Sequence, residues 1–256
     1  VQEQGATVGK SANTLVVRTR DGEVGRFRLI DVSQLVLCGN VQVTTQTLHL
    51  LCEAGIPVVY LSRGFWFYGV AQGMNLRNAY DRAAQFAVAA DLARSLGFAK
   101  EIVLAKVANQ RTLLRRNAAD LPERVADEFA QALRDIEAAS SVETLLGCEG
   151  NAAAIYFRHF GRMLRPRDLP TEWDFATRNR RPSRDPINAL LSFGYALLTK
   201  ELTVALLAEG LDPWWGLYHR PRHGRPSMAL DLMEEFRPLL VDSAVLSAIN
   251  TGMVAA

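Results

Sequence analysis

Runs of strand-forming residues fill the first seventy positions, whereas apolar residues at helical spacing dominate after about Gly73. The DG dipeptide at Asp21 lies between two such runs and predicts a tight hairpin turn. A short helix is predicted to end at Gly55, because glycine readily adopts the left-handed conformation after a helix. We predict strands over 14–19, 24–30, 34–38, 56–61 and 65–68, with the short helix over 44–54.

The rest of the chain predicts a series of helices. Ser140 and Glu143 have the spacing of a capping box, and Asp185 precedes a proline at a first helical position. The helices are expected over 78–96, closing at Gly97, over 100–116, 123–138, from 140 to about 164, from 186 to Gly210, and from about Ser227. The fold class is therefore α+β, with a β-rich domain of residues 1–73 and a larger all-α domain of residues 74–256.

Composition narrows the function only slightly. The 256 residues are 49% apolar and 22% charged, as in ordinary globular proteins, and a net charge of +2 neither requires nor forbids a nucleic-acid partner. Cys38, Cys52 and Cys148 lie too far apart for a disulfide framework or a CxxC zinc site, which indicates a reducing compartment. No uncharged apolar run approaches the roughly 18 residues of a membrane span, so no membrane partner is expected.

Two motif-like segments are set aside. Residues 5–11 resemble a phosphate-binding loop but are one residue short between the glycines, so we interpret them as a turn. His219 and His223 have the spacing of zinc ligands on a helix, but Pro221 lies between them and forbids a regular helix there.

Acidic side chains at unusual positions are the candidate chemistry. Glu149 falls among leucines and alanines at helical spacing, where an unpaired carboxylate would be costly to bury. Asp231 and Glu234 are three apart on one helical face, Glu235 lies beside them, and His219 precedes them in a loop. Such a group suits Mg²⁺ or, with the imidazole, Mn²⁺. The alternative is that arginines such as Arg237, or backbone groups, satisfy these acids.

A basic stretch precedes the helix that starts at Pro186. Its four arginines lie in a polar, proline-containing segment, a placement that suits contact with phosphates. A solvated, charged linker is the alternative interpretation. The arginines are Arg178, Arg180, Arg181 and Arg184.

Together these segments resemble the CRISPR-associated protein 1 family, which inserts new spacers into CRISPR arrays. The resemblance is carried, in order along the chain, by NVQVTT at 40–45, LLGCEGN at 145–151, RRPSRDPINALLSFGY at 180–195, GLYH at 216–219 and LDLMEEFRP at 230–238. It covers essentially the whole chain.

The resemblance implies a metal-dependent DNA integrase and endonuclease that joins the 3′-hydroxyl ends of captured DNA to the repeat by transesterification. The implied metal ligands are Glu149, His219 and Glu234, with Asp231 in support, and which of Asp231, Glu234 and Glu235 touches the ion is left open. The implied DNA contacts are Arg178, Arg180, Arg181, Arg184 and Arg222.

The resemblance also implies partners: a second copy of the chain bound through the β-rich domain, and the small second subunit of the adaptation complex. The location implied is the prokaryotic cytoplasm. Because the chain starts at Val1 and ends soon after the last acidic helix, we expect it to be part of a longer protein, with an adaptation nuclease fused or associated upstream.

A structure-specific nuclease of branched-DNA repair and a non-enzymatic DNA-binding scaffold are the alternative functions.

Overall fold

A computed structural model describes residues 1–73, 79–165, 175–179, 183 and 185–254. The chain divides into two compact units. The first comprises Val1–Ala83 together with Val204–Leu211, and the second comprises Ala84–Thr203 and Asp212–Ala256. The domain division predicted at residues 1–73 and 74–256, and the function expected of each domain, stay predictions.

The first unit is built on two small sheets. One has the strand order β3-β2-β1-β5, in which only the β1–β5 pair is parallel; the other has the order β4-β6-β7, in which β4 and β6 run parallel. The elements are β1 (Thr7–Ser11), β2 (Thr14–Thr19), β3 (Gly22–Arg28), β4 (Leu35–Cys38), β5 (Gln42–Val43), α1 (Thr45–Glu53), β6 (Val58–Leu61) and β7 (Phe67–Ala71).

The local signals of the sequence explain most of this unit. Thr44 caps α1 by accepting from the backbone N–H of Thr47, and Gly55 follows the helix with a φ of 70°. The prediction that residues 5–11 form a turn was wrong, because Thr7–Ser11 pair with β2 as a regular strand. Val8 of β1, Leu15 and Val17 of β2, and Leu35 and Leu37 of β4 are buried in one common core, which stabilises the strand at Thr7–Ser11.

The second unit is helical in its regular elements, as predicted. Its central helix, α3, packs against α4, α5 and α7. The helices are α2 (Ala79–Ala90), α3 (Leu92–Asn117), α4 (Arg124–Ala138), α5 (Val142–Phe160), α6 (Pro186–Ala208), α7 (Ser227–Phe236) and α8 (Ser243–Asn250); the start of α2 and the end of α6 fall in the first unit.

Two helix boundaries differ from the prediction because side-chain caps decided them. The break expected at Gly97 lies at Asp91, whose carboxylate accepts from the backbone N–H groups of Ala93 and Arg94, and α3 continues through Gly97. Ser141 rather than Ser140 caps α5, accepting from the N–H of Thr144 at 3.1 Å. A side-chain oxygen that accepts from free backbone N–H groups stabilises a helix start by more than one glycine destabilises a helix interior.

Helices α7 and α8 are joined by a π-helical segment, Arg237–Asp242. Pro238 lies at its start and has no N–H to donate to the preceding turn. Next to it, the carbonyl oxygen of Glu235 accepts from the side-chain amide of Asn109 of α3 at 3.0 Å. A proline removes one backbone donor at this point, and such a loss is a common cause of an interrupted helical ladder.

Helix α6 is long and apolar enough to cross a membrane, judged by length and composition alone. The core helix of a globular unit meets the same criterion, and Asn188, Lys200 and Thr203 on α6 are buried polar residues. The expectation of no membrane partner stays a prediction.

Candidate active site

One lysine on α3 lies among apolar residues. Lys106 shares the buried face of the helix with Val103, Val107 and Leu114, and its side chain is 5% exposed. A buried ammonium needs anionic partners, because transferring an unpaired charge out of water is expensive. The partners of Lys106 therefore identify a group of acidic side chains inside the helical unit.

Two of the predicted acids meet at this lysine. The ammonium of Lys106 contacts a carboxylate oxygen of Glu149, from α5, and Oε2 of Glu234, from α7, at 2.5 Å. Glu149 is 20% exposed, whereas Glu234 is 3% exposed and is also paired with Arg237 at 3.1 Å. The structure thus brings two distant acids of the predicted site together, around a cation that sequence reasoning missed.

The two cations keep Glu234 ionised. Burial alone would raise the pKa of this carboxyl, but the charges of Lys106 and Arg237 outweigh that effect and hold the pKa below its usual value. A buried carboxylate that stays negative is the group that a metal ion requires. We call Lys106, Glu149 and Glu234 the acid–lysine centre.

Asp231 has a different position from its neighbour Glu234. It is fully buried and accepts three backbone N–H groups, from Leu217 at 2.6 Å, Tyr218 at 2.9 Å and His219 at 2.8 Å. It also contacts the imidazole Nδ1 of His219 at 2.7 Å. When Nδ1 donates to this carboxylate, Nε2 of the neutral ring keeps its lone pair, the arrangement found behind metal-binding histidines.

The loop that carries His219 is built around a glycine. A Cβ on Gly216 would lie 2.6 Å from the carbonyl oxygen of His219 and 2.8 Å from a carboxylate oxygen of Asp231. No side chain fits there, so glycine is what allows the loop to close over Asp231. Gln85 and Ser95 hold the same loop, through the carbonyl oxygens of Trp215 at 2.8 Å and Leu217 at 2.5 Å.

Tyr218 places a hydroxyl close to these acids. The side chain is 2% exposed and its oxygen has no hydrogen-bond partner in the described part of the chain. Burial, followed by the negative charges of Glu149, Glu234 and Asp231, raises the pKa of the phenol, so the group stays protonated as a donor. The hydroxyl is thus a buried donor that lacks an acceptor among the described residues.

The donor types, rather than their present spacing, suit a divalent ion. Carboxylates of Glu149 and Glu234 converge where a positive charge already lies, and His219 is oriented with one nitrogen available; oxygen and imidazole donors suit Mg²⁺ and Mn²⁺. Within the described residues, no three His, Cys, Asp or Glu side chains are grouped closely enough to hold an ion. The ammonium of Lys106 lies between two of the three expected ligands.

A second buried carboxylate lies farther along the chain. Asp242, at the end of the π-helical segment, accepts hydrogen bonds from the hydroxyls of Tyr156 at 2.8 Å and Tyr195 at 2.6 Å. Burial raises its pKa to about 6, because these hydrogen bonds and the more distant cations only partly offset the loss of water. We call Asp242 and these two tyrosines the tyrosine–aspartate centre.

The predicted DNA contacts are only partly described. Arg178 donates to Oδ1 of Asn188 at 2.6 Å and to Oγ of Ser192 at 3.1 Å, so its guanidinium is directed at α6. Arg222 is exposed three residues after His219. The other three, Arg180, Arg181 and Arg184, lie outside the described residues, and DNA binding by all five stays a prediction.

The whole chain, residues 1–256, matches the family model described as CRISPR associated protein Cas1. It is 47% identical to a CRISPR-associated exonuclease Cas4/endonuclease Cas1 fusion of Geobacter sulfurreducens, over 99% of this chain and 47% of that protein. It is 42% identical to a CRISPR-associated endonuclease Cas1 of Thermus thermophilus, over 99% of this chain and 74% of that protein. The chain thus spans about half the length of the fused relatives it matches.

Solved structures give the same result. A CAS1 protein from Thermotoga maritima superposes with a TM-score of 0.80 at 26% identity, over 98% of this chain and 78% of that one. A casposase bound to its integration product gives a TM-score of 0.77 at 25% identity, over 99% and 72% of the two chains. A partial Cas6-RT-Cas1–Cas2 complex gives 0.72 at 26% identity, over 99% and 76%. With its β-rich first unit, its helical second unit and its match to the family model from end to end, the chain belongs to the Cas1 family.

Proposed function

We propose that this chain is a divalent-metal-dependent DNA endonuclease and integrase of CRISPR adaptation, which joins 3′-hydroxyl ends of captured DNA to the repeat. The observation that carries the proposal is the convergence of Glu149 and Glu234 on one buried cation. The relatives named as endonucleases and the casposase bound to an integration product support the same chemistry.

In this proposal each residue has a separate task. Glu149, His219 and Glu234 hold Mg²⁺ or Mn²⁺, and Asp231 acts as a positioning residue because both its oxygens are occupied by the loop. A bound divalent ion neutralises charge on the attacked phosphate and on the oxygens that develop charge in the transition state. Tyr218 offers a protonated hydroxyl beside the acids, suited to a phosphate oxygen.

The partners are proposals as well. They are DNA, a second copy of the chain bound through the β-rich unit, and the small second subunit, Cas2. The Cas1–Cas2 complex among the structural neighbours supports the last of these. The fused relatives support an adaptation nuclease joined or associated upstream. We place the protein in the prokaryotic cytoplasm, without a membrane partner.

The test is strand transfer on a branched DNA substrate with Mn²⁺, comparing the wild-type chain with Glu149→Ala and His219→Ala. Metal-dependent joining that both variants lose supports the site and the reaction. Full activity in Glu149→Ala contradicts the site assignment. Cleavage without joining, independent of repeat sequence and of the small subunit, favours a nuclease of branched DNA instead.

A further inference from the structure

The cation of the acid–lysine centre occupies the position that a metal ion would need. Lys106 reaches in from α3 and contacts the carboxylates of Glu149 and Glu234, the two acids that come from α5 and α7. A divalent ion bound by both acids requires the space and the negative charge that the ammonium now uses. Lys106 and the ion therefore compete.

The charges around the centre indicate which acid depends on this lysine. Glu234 has a second cation, Arg237, at 3.1 Å, so it stays paired when Lys106 moves away. Glu149 has Lys106 as its one ion-pair partner within the described part of the chain. Without either Lys106 or a metal ion, Glu149 faces Glu234 with no charge between them.

The chemistry of lysine fits a partner that can leave. Its ammonium is a compact charge on a flexible four-carbon stem, whereas the planar fork of an arginine is held by its paired hydrogen bonds. Rotation about the stem can carry the ammonium away from the carboxylates while α3 stays in place. Lys106, Val103 and Val107 are all buried residues of this helix.

We propose that Lys106 is a displaceable internal cation, which holds Glu149 and Glu234 together in the metal-free protein and lowers the affinity of the site for a divalent ion. The proposal rests on the metal site of the proposed function. Metal binding then exchanges one cation for another, so the acids remain ordered in both states. The apparent affinity is reduced by the fraction of molecules in which lysine holds the site.

The test uses Lys106→Met, which keeps the length of the side chain and removes its charge. Lys100→Met is the matched control, because Lys100 lies on the same helix and donates to the carbonyl oxygen of Glu137 on the surface. Mn²⁺ binding is measured by calorimetry at pH 8. If lysine holds the site about ten times as often as not, Lys106→Met binds Mn²⁺ about tenfold more tightly than wild type, and Lys100→Met is unchanged.

The metal-free proteins give a second readout. In EDTA, Lys106→Met is expected to have a lower Tm than wild type, and saturating Mn²⁺ is expected to raise the Tm of this variant more than that of wild type. A folded Lys106→Met protein that binds Mn²⁺ with unchanged or weaker affinity overturns the proposal.

The proposed function can fail separately. Glu149→Gln and His219→Ala should lose Mn²⁺ binding; if they keep it, the metal site itself is wrong. If they lose it while Lys106→Met matches wild type, only the role of the lysine is wrong. Should Lys106→Met not fold, the ¹⁵N signal of the Lys106 ammonium in the wild-type chain decides, because Mg²⁺ must shift it and an unshifted signal overturns the proposal.

Discussion

The helical unit buries carboxylates in two centres that face opposite kinds of partner. In the acid–lysine centre, Glu234 lies between the cations Lys106 and Arg237, and its pKa is lowered. In the tyrosine–aspartate centre, Asp242 faces two neutral hydroxyls, and its pKa is raised to about 6. Both groups are almost inaccessible to water. Burial is the same in the two centres, and the charge of the neighbours decides the ionisation.

The contrast separates two uses of a buried acid. Under the proposed function, a carboxylate held negative by neighbouring cations is prepared for a metal ion. A carboxylate held by phenols can take up a proton near pH 6 without losing its neighbours, which suits a role in joining helices. The contacts of the second centre join helical segments, because Asp242 accepts from Tyr156 of α5 and Tyr195 of α6.

The largest expected effect comes from removing charge in the first centre. Glu234→Gln leaves Lys106 and Arg237 short of an anion in a buried site, and we expect the free energy of unfolding at pH 7 to fall by about 3–5 kcal/mol. Because the pKa of Glu234 is lowered, its contribution is present above the ordinary carboxyl pKa and is lost as pH falls through the lowered value. The loss relative to wild type should therefore shrink in acid, as measured by urea unfolding at several pH values.

Glu235→Gln is the control for that experiment. It makes the same chemical change one residue along α7, at a half-buried side chain, and should change the stability by about 0.5 kcal/mol or less. Equal losses in the two variants would show that the acid–lysine centre has no special electrostatic role.

The next effect tests geometry rather than charge. Gly216→Ala introduces a Cβ within 3 Å of the backbone at His219 and Ser227, and we expect a loss of about 1–3 kcal/mol from the overpacking. The loop must move away from Asp231, so Mn²⁺ binding should weaken together with stability. Thermal unfolding and calorimetry measure the two effects.

Gly147→Ala provides the comparison, since a Cβ at this position on α5 has open space around it. Alanine should leave stability unchanged or raise it by up to about 1 kcal/mol, the helix preference of alanine over glycine. If Gly216→Ala behaves in the same way, the tight closure of the loop over Asp231 is not needed.

A smaller and pH-dependent effect belongs to the tyrosine–aspartate centre. The raised pKa of Asp242 means that the native state holds this proton more tightly than the unfolded chain. This carboxyl therefore makes stability fall as pH rises from about 4 to about 6. Asp242→Asn removes that slope, and the stability of the variant relative to wild type should improve by about 2–3 kcal/mol across the interval. Urea unfolding at pH 4, 5, 6 and 7 measures it.

Asp127→Asn, at an exposed acid of α4, should show no such improvement over the same pH range. A flat profile for Asp242→Asn as well would mean that Asp242 titrates normally. The contrast between the two centres would then disappear.

The smallest effect is expected at the surface. Arg220 pairs with Glu143, but the side chains are 80% and 64% exposed. Water and salt screen such a pair, so Arg220→Ala should cost between 0 and about 1 kcal/mol. Thermal unfolding at low and high salt measures it; a loss as large as that of Glu234→Gln would mean that burial does not set the strength of ion pairs here.

Local signals in the sequence were sufficient for much of the fold. The hairpin at Asp21, the end of α1 at Gly55 and the start of α6 at Pro186 all depend on one or two residues with strong backbone preferences. The break at Asp91 and the strand at Thr7–Ser11 were missed. The first depends on which of two signals, the cap at Asp91 or the glycine at Gly97, interrupts the helix, and the second depends on pairing with a partner strand.

The candidate site was predictable in its acids but not in its cation. Glu149 stood out because its carboxylate occupied an apolar helical face, and Glu234 because it shared one helical face with Asp231. Lys106 carries the same kind of signal, since it falls between Val103 and Val107 on the buried face of α3. Its pairing with two acids from other helices depends on how three helices pack, which one sequence does not encode locally. Asp231 illustrates the same limit, because its hydrogen-bond donors are mostly backbone N–H groups of a distant loop.

The π-helical segment gives the chain an unusual numerical spacing. Arg237 and Asp242 are five residues apart, yet the guanidinium of one lies 5.2 Å from the ring centre of Tyr195 and the carboxylate of the other accepts from its hydroxyl. In a regular α-helix, residues five apart point in different directions, whereas the wider turn brings them over the same neighbour. Deletion of a single residue between them would restore ordinary winding and separate the tyrosine from one of these two side chains. The wide turn thus adds one residue to the helical spacing. The contacts of Tyr195 therefore depend on the number of residues between α7 and α8 as well as on which residues they are.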